Sequence, residues 1–296
     1  MTLQRAPLLC LLGLTISSSL VGSEPEALSP QAASTPIAQA VLLLDEVPAG
    51  RVILDRAQKL WQLSSRGDLL KFLKPGRASR TDAVLTRHFN PQTGEETRTR
   101  EITVFLREGA SLGDTVLDLA HELVHACARP AWDPYDPALT AAAYIQTAIE
   151  GEGGEIAAVA HECRVAREIA RSRPQTLGAA AQTRCAAYWA SRGDQIDTTI
   201  IEKDFYRVGQ WLGRLRERLG KETSRFPLLS ASQPRLYSST GSAPYPVALY
   251  EEFQEMTRIA CANTRRRVTV SEAAPSRSLA SASADPTERF LARRCR

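Results

Sequence analysis

The chain lacks several features that would have directed the reading elsewhere. Its most apolar run, Ala6 to Val21, falls short of the ~20 residues that a bilayer span needs. None of its 6 cysteines stands in C-x-x-C spacing, which excludes the usual structural zinc ribbon. The formal net charge of +4 is mild. Its basic excess gathers near the C-terminus, in Arg265, Arg266, Arg267, Arg293 and Arg294, with no interleaved aromatics, so nucleic acid is not an expected partner. There is no internal repeat, no Ser/His/Asp order and no setting for a cysteine nucleophile. Histidine is scarce, with 4 in 296 residues, so where those few stand carries information.

The N-terminus has the three-part layout of a secretory signal peptide. Arg5 supplies the positive end, Leu8, Leu9, Leu11, Leu12, Leu14 and Ile16 the apolar stretch, and Gly22 and Ser23 the small residues of a cleavage site. Residues 1–23 are therefore expected to be a signal peptide, and 24–36, rich in Ser, Pro, Ala and Glu, a linker. The main domain is expected over 37–263, with a disordered basic tail over 264–296. An exported chain with its signal removed would keep no stable membrane span and would be secreted or periplasmic. In such a compartment the remaining cysteines can oxidise. Five is an odd number, so at least one stays unpaired within the chain; Cys163 with Cys185 and Cys261 with Cys295 are the expected pairs.

Residues 37–73 read as mainly helical. A hairpin follows, with strands at 83–89 and 97–106 joined through Asn90-Pro91-Gln92-Thr93-Gly94. In its second strand Ile102, Val104 and Leu106 fall on one face. Ser111, three residues before Asp114, opens a helix in the manner of a capping box. Leu112, Val116, Leu119, Ala120 and Leu123 then make an apolar stripe, ended by Pro130. Helix resumes from about 138, is loosened by Gly151, Gly153 and Gly154, and continues from Glu155. Further helices are expected at 178–191, 203–219 and 247–263.

On the Ser111 helix stands His121-Glu122-Leu123-Val124-His125. Residues i and i+4 share a helix face, so both imidazoles can reach one ion. A catalytic zinc takes three protein ligands and keeps one position for water, whose pKa it lowers to about 7. A glutamate after the first histidine can take that water's proton and hand it to the leaving group. Zn2+ is thus the expected cofactor, one ion per chain, with Glu122 as general base and acid.

With these residues in place, the stretch from Arg100 to Ala128 resembles the catalytic core of the gluzincin-type zinc metallopeptidases. The resemblance implies an α+β, zincin-like fold: a small antiparallel sheet with an edge strand before the His-Glu-x-x-His helix, the remainder mostly helical. It implies an extended peptide or protein substrate, bound along Glu101 to Leu106 by strand addition. It also implies a third metal ligand from a glutamate on a later helix. Glu150, Glu152 and Glu155 all lie in the right region. Glu155 is favoured because Glu155-Ile156-Ala157-Ala158 looks like the Glu-x-x-Ala context of such families, although Glu150-Gly151 resembles another ligand motif. The family's acid four residues past the ligand is missing, since Val159 stands there. Other readings are a zinc hydrolase of a cell-wall amide and a catalytically silent zincin-like binding protein.

Weaker candidates remain. Asp118 could orient His121. His161 or one of Tyr144, Tyr188, Tyr206, Tyr237, Tyr245 and Tyr250 could stabilise an oxyanion. His88 is read as a strand residue, and Cys127 lies on another face from the histidines.

Overall fold

The computed structural model describes residues 35–295, apart from 91, 92, 94, 131, 176–182, 191–194, 239–242 and 273–285. The expected signal peptide and most of the linker therefore lie outside the described residues. The order is α1 (Pro36–Asp45), α2 (Pro48–Leu60), β1 (Leu73–Gly76), β2 (Arg80–Phe89), β3 (Glu96–Arg107), α3 (Leu112–Ala128), α4 (Ala141–Glu150), α5 (Glu155–Ser172), α6 (Thr198–Phe205), α7 (Leu212–Leu219), α8 (Tyr245–Glu272) and α9 (Pro286–Arg294). The chain is α+β and mostly helical.

The helix starts follow local chemistry. Thr35 caps α1 through the amide of Ala38, with Pro36 in the first turn, where a missing N–H costs nothing. Pro48 opens α2 in the same position. Ser111 accepts the Asp114 amide and opens α3 as expected. Val116, Leu119, Ala120 and Leu123 of α3 are fully buried. They place α3 at the centre of the molecule, against α1, α2, α5 and the sheet.

The sheet has three strands in the order β1-β3-β2. β2 pairs antiparallel with β3, from Arg80 opposite Phe105 to Phe89 opposite Glu96. Ile102, Val104 and Leu106 face the core as the alternation requires. Two expectations need correction. The sheet is mixed rather than antiparallel, because β1 joins β3 in parallel, Leu73 opposite Val104. Glu101 to Leu106 is accordingly not an edge: β3 is the central strand, and β2 is the edge strand nearest α3.

The helix expected from 138 divides at Gly151–Gly154. Gly153 has φ +68, and a Cβ there would lie 2.2 Å from the Arg129 amide nitrogen. The segment at 203–219 breaks into α6, a short 3-10 turn and α7. Residues 186–188 form a 3-10 turn, while the start of the helix expected at 178–191 lies outside the described residues. The boundary placed at 263 falls inside α8, which runs on to Glu272. α9 is tied back to it through Cys261–Cys295.

The second crosslink joins Cys163 to Cys185, so both pairings match the sequence expectation. Two disulfides are consistent with an extracellular protein. Cys127 is free, and burial pushes its thiol up to about 12, which leaves it unreactive. Among the described residues no helix is long and apolar enough to cross a membrane.

Candidate metal centre

α3 presents His121 and His125 one turn apart, and α5 packs across them. The two Nε2 atoms lie 3.1 Å apart. Glu155, the first residue of α5, brings its Oε2 to 3.3 Å from Nε2 of His121 and its Oε1 to 3.4 Å from Nε2 of His125. Tetrahedral zinc with bonds of about 2.0–2.1 Å needs ligand atoms about 3.3 Å apart. These separations match that requirement. Among the described residues His121, His125 and Glu155 are the group of this kind able to hold a metal ion.

The remaining ring nitrogens are already engaged. Nδ1 of His125 lies 2.8 Å from the Gly153 carbonyl, a contact in which only the nitrogen can donate. Nδ1 of His121 lies 3.0 Å from Oε2 of Glu162. Both bonds direct an Nε2 lone pair at Glu155 and at each other, the arrangement that ligating histidines use. Two lone pairs facing at 3.1 Å repel unless a cation or a proton sits between them. Glu155 Oε2 is buried with no hydrogen-bond partner, a cost that a cation would remove. The residues present therefore fit a metal ion.

Several acidic groups surround the two histidines. Asp118, Glu122, Glu155 and Glu162 are all buried on α3 and α5. Their arginine partners are Arg129, on Glu155, and Arg184, on Asp118 and Glu162. Burial alone would lower the His121 pKa, but Glu155 and Glu162 outweigh it and raise it well above the usual range. Burial alone would raise Glu155, but the two histidines hold it well below the usual carboxylate range.

Glu122 is held separately. The Thr81 hydroxyl, on β2, lies 2.8 Å from Glu122 Oε2 and 2.9 Å from the Glu122 carbonyl. Its single proton can serve one of the two. The edge strand thus fixes the carboxylate that stands next to the first histidine.

The other candidates fall elsewhere. Glu150 accepts from the Tyr206 hydroxyl, and Glu152 is exposed. Asp118 does not touch His121; it is committed to Ser79 Oγ at 2.5 Å and to Arg184 at 2.9 Å. His161 lies on another face of α5, in a cavity of about 260 Å³ lined by Val52, Arg56, Val124 and Arg164. His88 is in β2 as expected. Tyr188 donates to Asp204, Tyr144 is bonded to Glu252, Tyr250 accepts from Gln254, and Tyr237 is exposed. Tyr245 remains. Burial raises its phenol well above the usual range, and the charges of Glu155 and Glu122 raise it further, so it lies within electrostatic reach of the site as a neutral donor.

Sequence reasoning missed Glu162, Thr81 and Arg184. Glu162 could have been found, since it stands two helical turns from Glu155 on the same face. Thr81 and Arg184 leave no such local signal. Comparison with protein-family models, with curated proteins and with solved structures returns no match.

Proposed function

We propose that the chain is an exported zinc-dependent metallopeptidase. The reading rests above all on one observation: three ligand atoms converge at metal-site spacing while both Nδ1 atoms are engaged elsewhere. A donor set of two imidazoles and one carboxylate suits zinc, and three protein ligands leave a position open for water and substrate. Bound there, zinc would supply Lewis acidity and a water of lowered pKa.

The chain's own residues supply the rest. Glu122, held by Thr81, accepts the proton of the attacking water and returns it to the leaving amine. We assign to Tyr245 the hydrogen bond to the developing oxyanion. Gly153 and Glu162 keep the two imidazoles in one tautomer. Among the described residues the outer side of β2 carries no strand, so an extended peptide could add there, beside Thr81.

The test is metal content followed by cleavage. The purified protein should carry about one zinc per chain and lose turnover of a peptide library on chelation. Absence of any divalent metal would overturn the reading. Cleavage confined to cell-wall fragments would move the substrate from peptide to another amide, and cleavage of nothing would favour a binding protein.

A further inference from the structure

We propose that Arg184 and the Cys163–Cys185 disulfide act as one positioning unit for the metal ligand His121. The proposal rests on the metal-site reading above. It starts from a coincidence of position. Glu162 orients His121, and Cys163 is the next residue; Arg184 binds Glu162, and Cys185 is the next residue. Consecutive Cα atoms are about 3.8 Å apart. Two segments are thus joined twice within one residue step, once by sulfur and once by an ion pair.

The polar contacts run in one line. His121 Nδ1 meets Glu162 Oε2 at 3.0 Å, and Glu162 Oε1 meets Arg184 Nε at 2.7 Å. Arg184 Nη1 meets Asp118 Oδ1 at 2.9 Å, and Asp118 Oδ2 accepts from Ser79 Oγ. Arg184 occupies one carboxylate oxygen and leaves the other facing the imidazole. That fixes which way the Glu162 carboxylate turns, and through it which way His121 presents Nε2. Glu162 is only 2 % exposed at its side chain, and Arg184 is its cationic partner. Without the guanidinium a buried carboxylate would be left facing Glu155 across His121, free to turn.

The crosslink has a distinct part in this. Arg184 lies beyond the end of α5, and 40 % of its side chain is exposed. Thr183 and Arg184 are helical and lead directly into Cys185, so the crosslink anchors the end of that helical stretch. A long arginine side chain loses rotamer freedom when it is pinned. Anchoring the adjacent residue removes the backbone part of that freedom beforehand. Both sulfurs are buried, so the anchor is part of the packed core. The other disulfide offers a contrast, because Cys261 and Cys295 belong to a separate small cluster with Ala260 and Phe290.

The experiment measures zinc affinity by competition with a chelating dye, using the full mature chain. Far-UV circular dichroism of the metal-free proteins confirms that each variant is folded. Arg184→Gln should weaken zinc binding about 10–100-fold, the usual cost of removing a group that orients a ligand. Arg184→Lys should recover part of the loss, which a purely structural defect would not. The Cys163→Ser/Cys185→Ser pair should lose as much as Arg184→Gln, and combining them should add little, because both act on one link. Cys261→Ser/Cys295→Ser should bind zinc as the wild type does. Wild-type affinity in Arg184→Gln overturns the proposal, as does a full multiplication of the two losses. If the Cys163→Ser/Cys185→Ser pair does not fold, the two Arg184 variants decide alone. A wild type that binds no dication overturns the metal reading itself.

Discussion

Glu162 holds His121 from the same helix that supplies Glu155, seven residues later. Two turns of α5 therefore carry both a carboxylate at Nε2 of His121 and one at Nδ1 of the same ring. Removing the second should act through the first histidine. Glu162→Ala is expected to weaken zinc binding about 10–100-fold. Glu162→Gln, whose carbonyl can still accept from Nδ1, should lose less. The check is zinc competition at fixed pH; equal losses in the two variants would mean that charge, not hydrogen bonding, sets the effect.

In the proposed mechanism Glu122 serves the reaction and not the ion. Glu122→Gln should keep stoichiometric zinc and lose turnover by about 10²–10⁴-fold. Metal analysis and steady-state kinetics on the same preparation decide this. Persisting activity would exclude Glu122 as the base.

Thr81 reaches Glu122 from the edge strand at 2.8 Å. Thr81→Val keeps the shape and removes the hydroxyl. Turnover should fall about tenfold, corresponding to about 1.4 kcal/mol, with zinc content unchanged. A fall in metal content instead would show that the residue supports the fold of the site.

His161, outside the ligand group, gives a pH prediction. Burial, then the charges of Arg164, Arg56 and His121, pull its pKa down to about 4. In the unfolded chain it stands near ~6.5. Between those values the unfolded state takes up a proton that the folded state refuses. The stability tied to this group is whole above pH ~6.5 and is lost as the pH falls toward about 4, by at most about 2–3 kcal/mol. Urea unfolding at pH 7 and pH 4.5 should show a smaller difference in His161→Phe than in the wild type. The same difference in both would sink the idea.

Gly153 combines a positive φ with a crowded approach to Arg129, and its carbonyl holds His125. Gly153→Ala would force a Cβ into backbone. It should destabilise the chain by more than about 1 kcal/mol and weaken zinc binding as well. Thermal unfolding with and without zinc separates the two effects.

What could be read in advance follows from the range of each signal. His121, Glu122 and His125 share a helix whose cap and stripe lie within a few residues, so both the helix and its histidine pair are legible. The choice of Glu155 over Glu150 and Glu152 depends on how the chain turns at Gly151–Gly154, which spacing alone does not state. β1 has four residues, one of them proline, and pairs in parallel with a strand some thirty residues later. No alternation that short can announce itself. Thr81 and Arg184 act through contacts 41 and 66 residues away, visible only once the chain has folded.

The grouping of His121, His125 and Glu155 has a consequence outside the reaction. A folded chain that binds a dication, and an unfolded one that does not, are linked by mass action. Once free zinc exceeds the dissociation constant, each tenfold rise adds about 1.4 kcal/mol to stability, and a hundredfold excess supplies about 2.7 kcal/mol. The lifetime of this protein against unfolding and proteolysis would then follow the zinc supply of its surroundings, whether or not substrate is present.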